Sequence, residues 1–126
     1  MNQGEPLKSF TQLNAWQNGH KLVLRVYKLV KFFPKEETYA LSDQMRRCVI
    51  SITSNIAEGF SRKSYREKSQ FYSIALGSTT ELQNQLLVAK DVGYLSLEDF
   101  KEIAEQSVVV NKLINGLIKA SKSHDS

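Results

Sequence analysis

The sequence predicts an all-α fold, an up-down-up-down bundle of four helices. Proline and glycine divide the chain into four long segments, and in each segment apolar residues recur at steps of three, four and seven. No stretch alternates polar and apolar residues for long enough to indicate a β-strand. Four amphipathic helices joined by short turns pack into a bundle roughly 30–40 Å long. The 126 residues therefore form one predicted domain, residues 1–126, whose ordered core should span about residues 10–120.

Residues at the segment boundaries define the first two helices. The first should run from about Asn14 to Phe33, with the Asn14 side chain as its N-cap, and Pro34 ends it because proline cannot continue a helix. The second should run from about Ser42 to Gly59, with Ser42 as its N-cap. Each segment carries one apolar stripe, so each helix should bury one face.

Paired polar residues mark the start of the other two helices. Ser64 is followed three residues later by Glu67, a capping box that should open a third helix ending near Gly93. Ser96, followed by Asp99, should open the fourth helix in the same way. The predicted core face of the third helix consists of Phe71, Ile74, Ala75, Ser78, Leu82, Ala89 and Val92.

The sequence lacks the residue combinations that most enzymes and metal sites need. Its one cysteine, Cys48, lies on an apolar stripe, which favours packing in the core over nucleophilic chemistry. Neither His20 nor His124 has metal-ligand spacing, and the glycines are isolated, so no phosphate-binding loop is predicted. No segment is apolar enough to cross a membrane, and the first residues do not have the pattern of an export leader. We therefore expect a cytoplasmic protein that is not an enzyme, binds no cofactor or metal, and does not enter a membrane.

Polar residues interrupt the apolar stripes of the second and third helices. We call them the polar seam, and they are Arg47, Ser51, Asn55, Glu58, Glu81 and Gln85. The favoured interpretation is a hydrogen-bond network between the two helices that fixes their register, with Arg47 pairing with Glu81. A ligand-binding pocket is the alternative, and no histidine or metal-ligand spacing accompanies these residues to support it.

Some apolar residues of the third helix point away from its predicted core face. Four of them fall within about 60° of one another on a helical wheel. A lengthwise apolar stripe of this kind usually marks an interface. This predicted interface stripe consists of Tyr65, Tyr72, Leu76 and Leu87. It predicts self-association of the chain without fixing the number of subunits.

Charge is distributed unevenly along the chain, whose formal net charge is +4. No acid occurs between Glu5 and Glu36, but acids at the start of the fourth helix should neutralise the adjacent end of the first. The opposite end of the bundle should gather cations from the second turn and from the first and fourth helices, namely Arg62, Lys63, Arg66, Lys68, Lys21, Lys119 and Lys122. Such a cluster predicts either a surface that binds the phosphates of a nucleic acid or an ordinary solvated end.

The same segments resemble a known bacterial family. The motifs are Asn55-Ile56-Ala57-Glu58-Gly59 in the second helix and Gly77-Ser78 with Glu81-Leu82 in the third, together with Ala15-Trp16-Gln17 and Phe33-Pro34 around the first. Members of that family are four-helix bundles encoded in intervening sequences of large-subunit ribosomal RNA genes, often labelled ribosomal-protein-like. The likeness runs from about Phe10 to Leu117. The family is in turn similar to the accessory protein of diversity-generating retroelements, a pentameric barrel of four-helix bundles that binds nucleic acid and a reverse transcriptase.

The resemblance implies a ring-shaped homo-oligomer, with five subunits favoured, that binds RNA or DNA and has no enzymatic activity. Together with the basic end, it makes a non-enzymatic nucleic-acid-binding protein the leading hypothesis. The alternative is an oligomeric assembly adaptor that binds a partner protein such as a reverse transcriptase. Salt dependence separates the two hypotheses, because affinity for phosphates falls steeply as salt is added.

Overall fold

A computed structural model describes residues 6–125, so the first five residues and Ser126 of the predicted domain lie outside the described range. Within that range the backbone forms four α-helices, two short 3-10 helices and no strand. The α-helices are α1 (Asn14–Val30), α2 (Leu41–Ser61), α3 (Tyr65–Asp91) and α4 (Leu97–Asp125). Each helix packs against the next one in the chain, and α1 also packs against α4, as in an up-down-up-down bundle. The predicted all-α class with four helices is confirmed.

Serine side chains open α3 and α4 as the sequence predicts. The Glu67 amide donates to the Ser64 hydroxyl at 3.1 Å, and the Asp99 amide donates to the Ser96 hydroxyl at 3.1 Å. The C-terminus of α3 is closed by Gly93, whose φ is +88°. Glycine adopts this left-handed conformation without the steric cost that a side chain would add, so the predicted stop near Gly93 is confirmed.

The predicted N-caps of α1 and α2 are wrong. Leu13 and not Asn14 occupies the N-cap position of α1, and it makes no side-chain capping hydrogen bond. Ala40 occupies the N-cap position of α2, while Ser42 lies buried inside the first turn. A short 3-10 helix precedes each of these α-helices by only a few residues. Because those turns fix the path of the incoming chain, both α-helices begin without a polar cap.

α1 ends at Val30, three residues before the predicted position. The amides of Phe32 and Phe33 donate to carbonyls three residues back, which tightens the last turn ahead of Pro34. Phe33 then leaves the helix and is buried, with its ring centroid 5.3 Å from that of Tyr94. Phe32, in contrast, is 85% exposed. The connection from α1 to α2 is thus anchored by one aromatic residue and exposes another.

Large apolar side chains from all four helices form the core. Burial of each contributes about 1.5–3 kcal/mol to folding. The prediction that Ile74 and Val92 belong to the core face of α3 is wrong, since these residues are 52% and 55% exposed. Ile74 lies about 90° from the centre of the buried face, and Val92 follows the end of α3. The fully buried residues include Leu22, Met45, Ile52, Ile56, Leu82, Leu86, Ile103 and Ile114.

A close contact between Gly59 and Tyr72 joins α2 to α3. A Cβ atom at Gly59 would lie 2.5 Å from the Tyr72 ring, so the ring can approach the backbone of α2 only because residue 59 has no side chain. Tyr72 is 3% exposed, and burial raises the pKa of its phenol. The prediction that Tyr72 lies at a subunit interface is therefore wrong, because this ring belongs to the protomer's own core.

Candidate nucleic-acid interface

Four helix termini lie at the end of the bundle where the sequence concentrates cations: the N-termini of α1 and α3 and the C-termini of α2 and α4. An open cleft of about 340 Å³ lies there between α3 and α4. We call it the basic cleft, and it is lined by Tyr65, Arg66, Ser69, Gln70, Ser121 and Lys122. Two of these lining residues are cationic and none is acidic, so the cleft attracts anions.

Lys68 lies at this end, but its ammonium group forms hydrogen bonds within the protomer. Its Nζ donates to the carbonyl of Phe60 at 2.6 Å and to that of Gly59 at 3.4 Å. These carbonyls belong to the last turn of α2, which carries the negative end of the helix dipole. Burial lowers the pKa of Lys68. The side chain therefore caps the C-terminus of α2, which corrects its predicted place on an exposed anion-binding surface.

Arg62 is also engaged by its own protomer. Its Nη2 lies 3.0 Å from Oε2 of Glu58, and its guanidinium group lies 4.5 Å from the centroid of the Phe71 ring. Its Nε is shielded from solvent and has no hydrogen-bond partner among residues 6–125. The ion pair also corrects the predicted place of Glu58, which lies at the basic end and is not part of the hydrogen-bonded seam.

Lys63, Arg66 and Lys119 are exposed, as their predicted role requires. None of them forms an ion pair with another side chain that the structure describes. Lys122, which the sequence also placed at this end, lies across the basic cleft from Arg66. The exposed cations of this end are thus divided between the start of α3 and the end of α4.

Lys21 does not belong to this cluster. It lines a groove between α1 and α4 together with Gln106, whereas Asn14 lies beside Leu117 near the end of α4. Asn14 and Lys21 are about 10 Å apart along the helix. The prediction was wrong because the first turn of α1, and not its second or third, reaches the basic end.

Serine hydroxyls form the part of the polar seam that links α2 to α3. The Ser51 and Ser78 hydroxyl oxygens are 2.9 Å apart. The Asn55 amide donates to the Ser51 carbonyl at 2.8 Å, and the Cys48 thiol donates to the Ser78 carbonyl at 3.0 Å. The Asn55 bond lies within α2, whereas the two bonds to Ser78 fix the two helices in one register, which agrees with the favoured interpretation for this part of the seam.

The predicted pairing of Arg47 with Glu81 is wrong. The Nε of Arg47 lies 3.3 Å from Oδ2 of Asp43, one turn earlier on α2, and the Arg47 side chain is 82% exposed. Glu81 is exposed, and its charge affects the thiol of Cys48. Burial and the Glu81 charge raise the pKa of Cys48 to about 12. Gln85 is buried, and its Oε1 has no hydrogen-bond partner in the described part of the chain. Only an open depression of about 230 Å³ lies over this part of the seam.

The predicted interface stripe on α3 does not form one surface. Leu76 is half-buried and packs against the core. Tyr65 lines the basic cleft, and Leu87 lies about 33 Å away along α3. Sequence periodicity missed the surface that Leu87 does form, because that surface takes residues from two helices. We call it the apolar groove, and it is lined by Gln83, Leu86, Leu87, Phe100, Ala104, Ser107 and Val108.

Within the described range, neither a metal-binding cluster nor a membrane-spanning helix occurs. No group of three or more histidine, cysteine, aspartate or glutamate side chains that could hold a metal ion occurs among them. None of the helices, over the range that the structure describes, combines the length and the apolar composition that a bilayer span needs.

Residues 11–116 match the family described as 23S rRNA-intervening sequence protein. The chain belongs to this family. The family resemblance predicted from the sequence motifs is thus confirmed. The fold of this intervening-sequence protein is also similar to a crystal structure of a protein of unknown function from the S23 ribosomal protein family of Bacteroides thetaiotaomicron. That similarity has a TM-score of 0.77 and 26% sequence identity, and it covers 83% of this chain and 95% of the other. No curated protein matches the chain.

The motifs that carry the family resemblance serve the fold in this intervening-sequence protein. Gly59 ends the α2 motif and receives the Tyr72 ring, and Asn55 of the same motif binds the Ser51 carbonyl. The carbonyl of Ser78, in the α3 motif, accepts a hydrogen bond from the Cys48 thiol. The family signature therefore identifies the α2–α3 pairing, while the exposed cations of the basic cleft lie outside it.

Proposed function

We propose that this member of the intervening-sequence family is a non-enzymatic, oligomeric protein of the cytoplasm that binds RNA or DNA through its phosphates. The observation that carries the proposal is the basic cleft, in which Arg66 and Lys122 from two helices face one open space beside Tyr65. Lys63 and Lys119 add positive charge at the same end. Contacts of this kind supply affinity for the backbone and little base specificity.

The position of Arg66 supports a ligand at this end. Arg66 lies in the first turn of α3, where backbone amides already carry partial positive charge, so a cation there is unfavourable for the helix. Lys68 offsets a similar cost by capping α2, but Arg66 has no ion pair with any side chain that the structure describes. Lys122 lies near the C-terminus of α4, where a cation is favourable without a ligand. A bound phosphate would therefore explain Arg66 in particular.

Self-association would strengthen such binding. An oligomer presents the basic cleft once per subunit, so the phosphate contacts of several subunits act on one nucleic acid. Exposed apolar side chains on three helices, Leu24, Ile50 and Leu87, support an interface between subunits. A ring of five subunits is favoured by the likeness to the pentameric retroelement accessory protein.

A titration of two charge variants tests the proposal. In the basic-cleft variant, Lys63, Arg66 and Lys122 are replaced by glutamine, and in the control variant the same change is made at Lys35, Lys101 and Lys112. Fluorescence anisotropy with a structured RNA at low salt should show about ten-fold weaker binding for the first variant. Its log–log salt slope should become shallower by about 2 to 3, and the control should bind like the parent. Equal affinities of the two variants would contradict the proposal.

A second candidate function is an assembly adaptor, and the apolar groove favours it. This groove measures about 260 Å³ and is lined mainly by leucine, phenylalanine, alanine and valine side chains. Open apolar surface of this kind is typical of protein–protein contacts. The adaptor hypothesis predicts that Leu87→Asp abolishes binding of a purified reverse transcriptase while the basic-cleft variant binds it normally.

A further inference from the structure

A second basic surface lies on the side of the bundle, between α1 and α4. It is an open groove of about 520 Å³, larger than the basic cleft. Its cations all come from α1. They belong to the stretch between Glu5 and Glu36, which contains no acidic residue. We call it the α1–α4 groove, and it is lined by Lys21, Leu24, Arg25, Lys28, Leu29 and Gln106.

Three cations follow one line along this groove, and Phe32 lies beyond them on the same line. Lys21, Arg25, Lys28 and Phe32 succeed one another at steps of four, three and four residues, which places them on one helical face. The C-cap residue Lys31 keeps helical backbone angles, φ −61° and ψ −26°, so Phe32 continues the line past the end of α1. Lys21 and Lys28 are about 10 Å apart along the axis, and Phe32 lies about 6 Å further on.

Phe32 is exposed on a backbone that is held in place. Its amide donates to the Leu29 carbonyl at 3.1 Å, and the next residue, Phe33, is buried against Tyr94. The Phe32 ring itself is 85% exposed. A ring on an ordered backbone presents a flat apolar face on which a planar ligand can stack.

The polar groups of the groove are available to a ligand. Arg25 forms an ion pair with Glu102 of α4, but Lys21 and Lys28 are exposed and pair with no acid whose side chain the structure describes. The Oε1 of Gln106 is shielded and has no hydrogen-bond partner within residues 6–125. This oxygen can accept a hydrogen bond from an amino or hydroxyl group of a ligand.

The acids that follow Phe32 in the chain act elsewhere. Burial, together with the charges of Glu37 and Glu36, raises the pKa of Tyr94. The two carboxylates therefore lie close enough to Tyr94, in the turn between α3 and α4, for their charge to affect it. Neither of them lines the α1–α4 groove. On the line that leads to Phe32, Glu102 neutralises Arg25, whereas Lys21 and Lys28 keep their positive charge.

We propose that the α1–α4 groove binds a single-stranded segment of nucleic acid, with phosphates at Lys21 and Lys28 and an unpaired base stacked on Phe32. The inference rests on the proposed function, which supplies nucleic acid as the class of ligand. It assigns the binding to a different surface and specifies that the bound nucleic acid is single-stranded. A ring can stack only on a base whose face is open, and a duplex covers both faces of its bases. A single line of cations also fits one phosphate backbone.

Single-residue variants with matched controls test this inference. The probe is a short labelled oligouridine, with a duplex RNA as the comparison, in anisotropy titrations over a range of salt. Phe32→Ala should weaken binding of the single strand about ten-fold, with an unchanged salt slope because stacking is not ionic. Tyr39→Ala is the control, since Tyr39 is 94% exposed on the same connection but lies off the line. Replacing both Lys21 and Lys28 by glutamine should make the salt slope shallower by about 1.4.

Each outcome decides for or against the groove. If only the basic-cleft variant loses affinity and the Phe32→Ala variant binds the oligouridine like the parent, the proposed function stands and this inference falls. If the parent binds no nucleic acid at low salt, both fall. A Phe32→Ala variant that dissociates into smaller species by sedimentation, or that loses only a partner protein, would assign the ring to a protein interface and overturn the inference.

Discussion

The α2–α3 hairpin and the α1–α4 pair are two halves of one bundle, but their cations are used differently. In the hairpin, Lys68 caps the C-terminus of α2, and Arg62 pairs with Glu58 beneath the basic end. Between α1 and α4 one ion pair, that of Arg25, crosses a groove that is open, and Lys21 remains exposed. Cations that look alike in the sequence therefore differ in role: Arg62 and Lys68 hold the hairpin together, whereas Lys21 is available to a ligand.

The difference separates the interhelical contacts of the hairpin, which stabilise the fold, from the exposed cations of the α1–α4 groove. The hairpin combines a close ring–backbone contact at Gly59 with hydrogen bonds between Ser51 and Ser78. The α1–α4 pair has fewer close approaches between its helices. Substitutions at these hairpin contacts should therefore lower the free energy of unfolding, while substitutions in the α1–α4 groove should change binding and leave stability almost unaltered.

The largest expected effect is that of Gly59→Ala. The added Cβ would lie 2.5 Å from the Tyr72 ring, and this overpacking should lower the free energy of unfolding by about 1–3 kcal/mol in urea denaturation. Gly77→Ala is the matched control in the next helix, because no described atom lies within 4 Å of its added Cβ. That change should raise the free energy of unfolding by about 0.5–1 kcal/mol. An increase for both variants would contradict a tight hairpin.

The Gly59 contact also shows which features could be predicted from the sequence. Apolar spacing and the Ser64 and Ser96 caps defined four helices, because these signals are local. Periodicity placed Tyr72 off the core face of α3, since it could not register that a neighbouring helix lacks a side chain at residue 59. The hydrogen bond from Lys68 to the end of α2 depends on the direction in which this long side chain extends. The spacing of residues in the sequence does not encode that direction.

The next effect in size is a pH dependence that comes from Cys48 in the hairpin. Burial and the Glu81 carboxylate raise the pKa of this thiol from 9.0 to about 12. Between these values the unfolded thiol ionises and the folded thiol does not, so the folded state holds more protons and loses stability as the pH rises. The parent should lose at most about 1.4 kcal/mol per pH unit above pH 9 relative to Cys48→Ala. Below pH 9 the difference between the two proteins should stay constant.

Urea denaturation on both sides of pH 9 measures this dependence. Taking the difference between the parent and Cys48→Ala removes the contributions of the other titrating groups, including Tyr72, whose pKa burial also raises. Parallel pH profiles over the whole range would show that the thiol ionises equally in the folded and unfolded states.

The smallest expected effect is that of Arg25→Gln in the α1–α4 pair. Its ion pair with Glu102 is solvent-exposed, with side-chain exposures of 35% and 53%, and such pairs contribute about 0–1 kcal/mol. Arg25→Gln should therefore change the free energy of unfolding by less than about 0.5 kcal/mol, and Glu102→Gln should do the same. A loss comparable to that of Gly59→Ala would abolish the distinction between the two regions.

The most direct test of the central claim, that exposed cations of this bundle bind nucleic-acid phosphates, is the salt dependence of binding by the parent protein. The measurement is an anisotropy titration with one labelled RNA over a series of salt concentrations. Each phosphate contact contributes about −0.7 to −0.9 to the log–log slope, so the five contacts by Lys63, Arg66, Lys122, Lys21 and Lys28 predict a slope of about −3.5 to −4.5. An affinity that does not change with salt, or no binding at low salt, would contradict the claim.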